Sequence, residues 1–233
     1  MNSSARQARV CRRPVHDRRR PVVIEHNPWL RIPLDEYEGH MAAPGVDQAR
    51  LIAEEFERAL KALRPESVSV LGCAGGNGFE RIDLSVTKRV VAVDINPDYL
   101  DAVARRFAGS MRGLELRAMD LQRDMVDFEP VNLVFAALVL EYVDLEAAFV
   151  RIERMCQPGA VVTTLIQLAS DLHAPVSRSP FTSLQSLQSV MHLTTPEQVQ
   201  NAASAAGLRS RGMRNVGSTG GKRFVIQDFT RAG

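Results

Sequence analysis

Between residues 46 and 63 the apolar positions Val46, Ala49, Leu51, Ile52, Ala53, Phe56, Ala59, Leu60 and Leu63 recur at helical spacing with charges between them. That spacing predicts an amphipathic helix, which Arg64-Pro65 ends. Beyond it the period changes. Short apolar runs predict strands at 67–71, 89–93, 114–119, 131–137 and 160–167. Helical spacing between them predicts helices at 77–84, at 97–108 with Pro97 in the first turn, and at 144–156. Such alternation implies an α/β fold, a doubly wound parallel sheet covered on both faces. The last stretch departs from the pattern. A helix at 195–206 stops at Gly207, and two strand-like runs, 208–216 and 223–230, flank a glycine-rich connection. They predict a hairpin, so that the sheet ends with an antiparallel last strand at its edge.

The first strand runs into Val68-Ser-Val-Leu-Gly-Cys-Ala-Gly-Gly-Asn-Gly78, which sets four glycines within seven positions. A buried strand that breaks there brings its backbone close to something, and a ligand is the expected partner. Sixteen residues past Gly78 the second strand stops on Asp94. In a strand, glycine turn, helix, strand unit this carboxylate is placed to accept hydrogen bonds from a ribose. Asp120 follows the third strand in the same way. Ligands sit at the carboxyl ends of parallel strands where the strand order reverses, so Gly72 to Gly78, Asp94 and Asp120 should line one crevice. The plainer alternative is that the glycines let a helix pack close to the sheet and that Asp94 caps the next helix.

Composition narrows the picture without identifying a substrate. The chain has 233 residues, 45% hydrophobic and 24% charged, enough for one full globular core. No run of eighteen apolar residues and no signal-type apolar segment occurs, so no membrane partner and a cytoplasmic location are expected. Cys11, Cys73 and Cys156 show no Cys-x-x-Cys spacing, which predicts reduced thiols and no metal site. The net charge of +2 is uneven, because residues 1–20 carry seven arginines against Asp17 alone, while the remainder holds 22 basic and 26 acidic residues. That tail has no aromatic residue on which bases could stack, so a disordered extension is expected and a nucleic-acid partner is not.

Two segments outside the alternating core are candidates for closing a site. Residues 27–45 gather Trp29, Tyr37 and His40 around three prolines and predict an irregular strap over the core, a lid that with the helix at 46–63 forms an N-terminal unit (21–63) ahead of the main domain (64–233). Residues 170–193, with His173, Arg178, Phe181 and His192, follow the fifth strand and predict a cover in which Leu184, Leu187 and Met191 form one short amphipathic helix. Together they suit a compact organic ligand, with Arg178 available for a carboxylate.

From about Val46 to its C-terminus the chain resembles the class I S-adenosylmethionine-dependent methyltransferases, on four motifs in order. The glycine motif is similar to Val70-Leu71-Gly72-Cys73-Ala74-Gly75-Gly76-Asn77-Gly78, the ribose motif to Val93-Asp94-Ile95-Asn96-Pro97, and the adenine-side acid to Met119-Asp120-Leu121. The strand that ends beside the methyl group resembles 132–143, and the turn before the fifth strand resembles Gln157-Pro158-Gly159-Ala160. The resemblance implies a seven-stranded sheet with a reversed last strand and S-adenosyl-L-methionine as cofactor. Gly72, Cys73, Ala74, Gly76 and Gly78 would then admit the cofactor, Asp94 hold its ribose, Ile95 pack on the adenine, Asp120 with Leu121 meet the amine side, and Ala136, Ala137 and Leu138 floor the methionine.

The chain departs from the family at Val70, where an acid is usual, at Ala74, where glycine is usual, and at Glu141-Tyr142, where many relatives carry His. An acceptor hydroxyl or amine must lose a proton, and His40, Glu141, Tyr142, His173 and His192 are the bases to weigh, Glu141 first because it should stand at the mouth of the crevice. The implied function is methylation of O or N on a small organic molecule, with Tyr37, His173 and Arg178 as acceptor contacts, by a monomer or homodimer. Methylation of RNA or protein, and a binding module without turnover, are the alternatives. A nicotinamide enzyme fits less well, since the glycines do not follow Gly-x-Gly-x-x-Gly.

Overall fold

A computed structural model describes residues 27–218 and 220–232. Seven strands form one sheet: β1 (Ser67–Leu71), β2 (Arg89–Asp94), β3 (Leu114–Ala118), β4 (Val131–Ala137), β5 (Cys156–Gln167), β6 (Leu208–Gly217) and β7 (Arg223–Arg231). Their spatial order is β3-β2-β1-β4-β5-β7-β6. The first five run parallel, with Val70 opposite Ala92 on one side and Phe135 on the other. The last strand, β7, is antiparallel to both β5 and β6. It lies between them, so the edge expected of the hairpin is β6, while the reversed strand itself is inside the sheet.

The strand order reverses between β1 and β4, and that switch point opens a crevice at the carboxyl ends of the strands. Five helices cover the sheet: α1 (Leu34–Ala42), α2 (Gln48–Leu63), α3 (Pro97–Phe107), α4 (Leu145–Met155) and α5 (Pro196–Ala205). Alternate residues of β4 face opposite layers. Leu133 and Phe135 pack with Phe56 and Leu60 of α2 and Val103 of α3, whereas Val134 and Ala136 pack with Phe149 and Ile152 of α4 and Val199 of α5. Each such buried Val, Leu, Ile or Phe side chain contributes about 1.5–3 kcal/mol. Because α2 supplies Phe56 and Leu60 to this core, it is a structural layer and not part of a lid.

Local caps explain where helices begin. Asn96 accepts from the Asp98 N–H and Asp144 from the Ala147 N–H, while Thr195 and Gln198 form a reciprocal capping box before α5. The helix expected at 77–84 is only a 3-10 turn, Phe79–Arg81. Gly76 and Gly78 stand at φ of 83° and 86°, left-handed values that a continuous helix does not admit. The strap at 27–45 is more regular than its prolines imply: a 3-10 turn at Pro28–Leu30 leads into α1, whose first turn carries Asp35 and Glu36 at the positive end of the helix. The cover at 170–193 contains a 3-10 helix, Thr182–Ser189, that buries Leu184 and Leu187.

Cys73 and Cys156 are buried free thiols, and Cys11 lies outside the described residues, as does the arginine-rich 1–20 tail. Among the described residues no helix is long and apolar enough to cross a membrane.

Candidate active site

The glycine turn folds the chain back under β2. The Cys73 N–H donates to the Val93 carbonyl at 3.1 Å, and the Ala74 N–H donates to Asp94 Oδ2 at 2.9 Å. Gly72 adopts φ 63° and Ala74 φ 46°. For alanine this left-handed conformation costs about 1–2 kcal/mol, so the turn keeps the shape a glycine would take in spite of its side chain. Leu138, just after β4, is held at φ 54° on the facing side of the crevice. Such residues persist only where the surroundings fix them, and they gather at functional sites.

Asp94 is the last residue of β2 and only 7% exposed. Its Oδ1 accepts from the Asn96 N–H at 2.9 Å, so each oxygen already takes one backbone hydrogen bond and keeps lone-pair capacity for another donor. Burial pushes the carboxyl up to about 6 against the opposing pull of those N–H groups. Asp94 with Ile95, Met119, Leu121 and Val143 borders a cavity of about 80 Å³, which Asp120 also reaches. Asp120 is positioned by a 2.8 Å bond from the Gln122 N–H to its Oδ1. Two carboxylates beside one largely apolar cavity offer the acceptors that the ribose hydroxyls and exocyclic amine of a purine nucleoside would use.

A larger cavity of about 300 Å³ adjoins it, bordered by Gly72 through Asn77, Val70, Tyr37, Phe135 and Ala137. Glu38, Met41 and Ala42 of α1 and Ala49, Ile52 and Phe56 of α2 border it as well. Arg106 of α3 donates to the Gly75 carbonyl at 2.9 Å and to Glu38 Oε2 of α1 at 2.9 Å. A Cβ added at Gly75 would meet the Glu38 carboxylate and the Arg106 guanidinium, the movable ends of two long side chains, so it would displace this ion pair before it strained the turn. The strap is also tied down by Tyr99 Oη donating to the Ile32 carbonyl at 3.0 Å and by Asn96 Nδ2 donating to the Trp29 carbonyl at 2.9 Å. Trp29 stands edge-on to Tyr37 and Tyr142, with ring centres 5.7 and 4.9 Å apart.

A third, small cavity of about 40 Å³ lies where strap and cover meet, lined by apolar Val176, Leu184 and Leu187 and by buried His40, Gln48, Gln167 and Lys222. The two segments hold each other through Ser183 Oγ donating to Glu36 Oε2 at 2.6 Å and through Phe181, whose ring fills the space beside Gly39. Tyr37 borders all three cavities, and Trp29, Leu138 and Tyr142 border the second and third. His40 Nδ1 is 2.9 Å from Ser179 Oγ, and burial, with the charge of Lys222 second, lowers the imidazole below its usual value. The phenols of Tyr37 and Tyr142 are pushed upward, chiefly by burial, so both remain protonated donors.

Most of the expected site residues meet in this crevice, and some do not. Glu141 is 1% exposed, so it stands inside the fold and not at the mouth, where the sequence alone would put it. Its Oε1 accepts from the Gln167 N–H at 2.7 Å, its Oε2 has no partner among the described residues, and burial pushes the carboxyl up to about 7. Ala136 is fully buried in the core beneath the cavities, and Ala137 and Leu138 are the residues of that stretch that border them. Gly78 packs on Ala53 and borders none of the three. His173 is half-buried near Ser170 and Gly221, Arg178 is exposed, and neither reaches these cavities. His192 is exposed, its N–H bonded to the Glu141 carbonyl at 2.7 Å. Lys222 and Gln167 carry no signal in the sequence, since one follows a glycine turn and the other ends a strand like any polar residue.

Residues 70–164 match the family model described as a methyltransferase domain. Among solved structures, the N-methyltransferase NodS of Bradyrhizobium japonicum WM9 with S-adenosyl-L-homocysteine is similar at TM-score 0.61 and 16% identity, over 80% of this chain and 88% of that one. Geranyl diphosphate methyltransferase with SAM is similar at 0.60 and 14%, over 84% and 95%. The [4+2]-cyclase SpnF is similar at 0.61 and 12%, over 79% and 81%. None of the curated proteins matches the sequence.

Proposed function

We propose that this chain is a class I S-adenosylmethionine-dependent methyltransferase, a reading supported by its fold and by residues 70–164, and that it moves a methyl group onto O or N of a small organic acceptor. The observation that carries the proposal is the convergence of the glycine turn, Asp94 and Asp120 on adjoining cavities at the switch point of the sheet. In this reading Asp94 accepts from the ribose hydroxyls, Asp120 accepts from the exocyclic amine, and Ile95 packs on the purine. The turn from Gly72 to Gly76 and the side chains of Ala137 and Leu138 border the methionine end, where Val70 supplies apolar contact in place of an acid. The bound cofactor supplies a methyl group already activated on a sulfonium, so the protein's part is to place the acceptor in line and keep water out.

Trp29, Tyr37, Leu138 and Tyr142 border both the nucleoside cavity and the small cavity under the cover, which supports an acceptor that reaches from one to the other. His40 favours the role of proton acceptor, because an imidazole with a lowered pKa is neutral at pH 7, and the tautomer that donates from Nδ1 to Ser179 leaves Nε2 free to accept. Glu141, turned toward Gln167, acts by fixing that residue. Closure by strap and cover speaks for a small acceptor over RNA or protein, of which no more than a single base or side chain could enter.

Incubation with methyl-labelled S-adenosylmethionine and a panel of small alcohols, phenols, amines and acids tests the proposal. Label on a small acceptor is expected, whereas label found only on RNA or protein would move the acceptor class. SpnF, a cyclase by its name, has a similar fold, and Val70 differs from the family's acid, so a module that binds cofactor without turnover is the second reading. Micromolar cofactor binding with no label on any acceptor would favour it.

A further inference from the structure

The chain has three lysines, Lys61, Lys88 and Lys222; the first two are exposed and the third is 4% exposed, so a lysine in this interior needs a reason. Lys222 sits between the glycine-rich turn and β7. Its Nζ donates to Gln167 Oε1 at 3.0 Å and to the Pro175 carbonyl at 2.6 Å, which uses two of its three N–H groups. No carboxylate among the described residues pairs with it, and no Asp or Glu lines the cavity it borders. Glu141, which shares Gln167 with Lys222 as a partner, is turned to the backbone N–H of that residue. A buried ammonium without a counter-charge costs several kcal/mol. Its desolvation lowers the group to about 8, a value at which it is still mostly charged at neutral pH.

Resting on the methyltransferase reading above, we propose that the acceptor carries a carboxylate and that the third N–H of Lys222 is its anchor. One ammonium balances one negative charge, and a single Lys222 Nζ with one free N–H offers fewer donors than a phosphate demands. His40 and Gln48 border the same cavity and supply further polar contacts. The remainder of the acceptor passes Tyr37, Leu138 and Tyr142 toward the cofactor cavity, which puts the reacting atom at a fixed distance from the anchored end. Arg178, which the sequence offers for this task, is exposed and does not border the cavity.

The test uses the full chain saturated with S-adenosylhomocysteine, whose own titration reports separately on the methyltransferase reading. Benzoate and 3-methylbutanoate are titrated against their neutral amides, with the side-chain 13Cε signals of the three lysines followed by NMR. Expected are a shift of the Lys222 signal alone, a preference for acid over amide of at least about tenfold, and loss of that preference in Lys222→Met with S-adenosylhomocysteine affinity unchanged. Lys222→Arg should keep part of it. Equal binding of acid and amide, an unmoved Lys222 signal at saturating acid, or no binding of either acid would overturn the proposal even where S-adenosylhomocysteine binds.

Discussion

Arg106 and Glu38 form an ion pair across the carbonyl of Gly75, so that a helix of the core, the strap and the glycine turn meet at one point. Both side chains are more than a third exposed, and an exposed pair contributes no more than about 1 kcal/mol. Its consequence is kinetic. Arg106→Met should leave the melting temperature within a few degrees of wild type while raising the rate of cofactor release several-fold, as read by stopped-flow displacement. An unchanged release rate would mean that the strap does not gate the cavity.

Asp94 takes two backbone N–H bonds and borders the cavity of about 80 Å³ proposed for the nucleoside. Hydrogen bonds to a charged group are worth about 1.5–3 kcal/mol, so Asp94→Ala should weaken cofactor binding by about ten- to a hundredfold. Asp94→Asn should lie between, since it keeps one acceptor. Calorimetric titration of each variant checks the order.

The pH dependence of stability has a definite sign. Burial raises Glu141 to about 7 and Asp94 to about 6, so both are protonated in the folded chain at pH values where the unfolded chain has released those protons. Their contribution is therefore fully present below the unfolded values and is lost as pH rises through the folded ones. For Glu141 the loss falls between about 4.5 and 7 and is on the order of 3 kcal/mol at most. His40, lowered by burial, acts oppositely below about 6.5. Denaturant midpoints of wild type and Glu141→Gln across pH 4.5–8 separate the two effects: the variant should be the more stable at pH 8 and converge with wild type at low pH.

At Ala74 the left-handed backbone and the side chain are at odds. Ala74→Gly should stabilise the chain by about 0.5–1 kcal/mol, the strain removed less the entropy that glycine adds to the unfolded state. Equilibrium unfolding measures it, and a loss of stability would mean that the methyl group packs more usefully than it strains.

The features legible in sequence are those that local chemistry fixes. The run 131–137 is observed as β4 without change, and Pro97 behind Asn96 marks the start of α3, because apolar periodicity and capping act over a few residues. Asp94 and the glycine turn were legible for the same reason. The remainder depends on distant contacts. Nothing local distinguishes α1 from an irregular strap, since nine residues between prolines form a helix here by packing on the cover. Lys222 follows a glycine turn, a place that ordinarily faces water, and is buried only because Pro175 and Gln167 close over it. Glu141 has the opposite history: its place after β4 suggests the crevice mouth, while the bond to Gln167 draws it inward.

Calorimetric titration of the purified chain decides whether the glycine turn, Asp94 and Asp120 bind S-adenosylmethionine. S-adenosylmethionine and S-adenosylhomocysteine should bind with micromolar affinity, NAD should not, and Asp94→Ala should lose most of the binding. No binding of either sulfur nucleoside, or equal binding of NAD, would contradict the account.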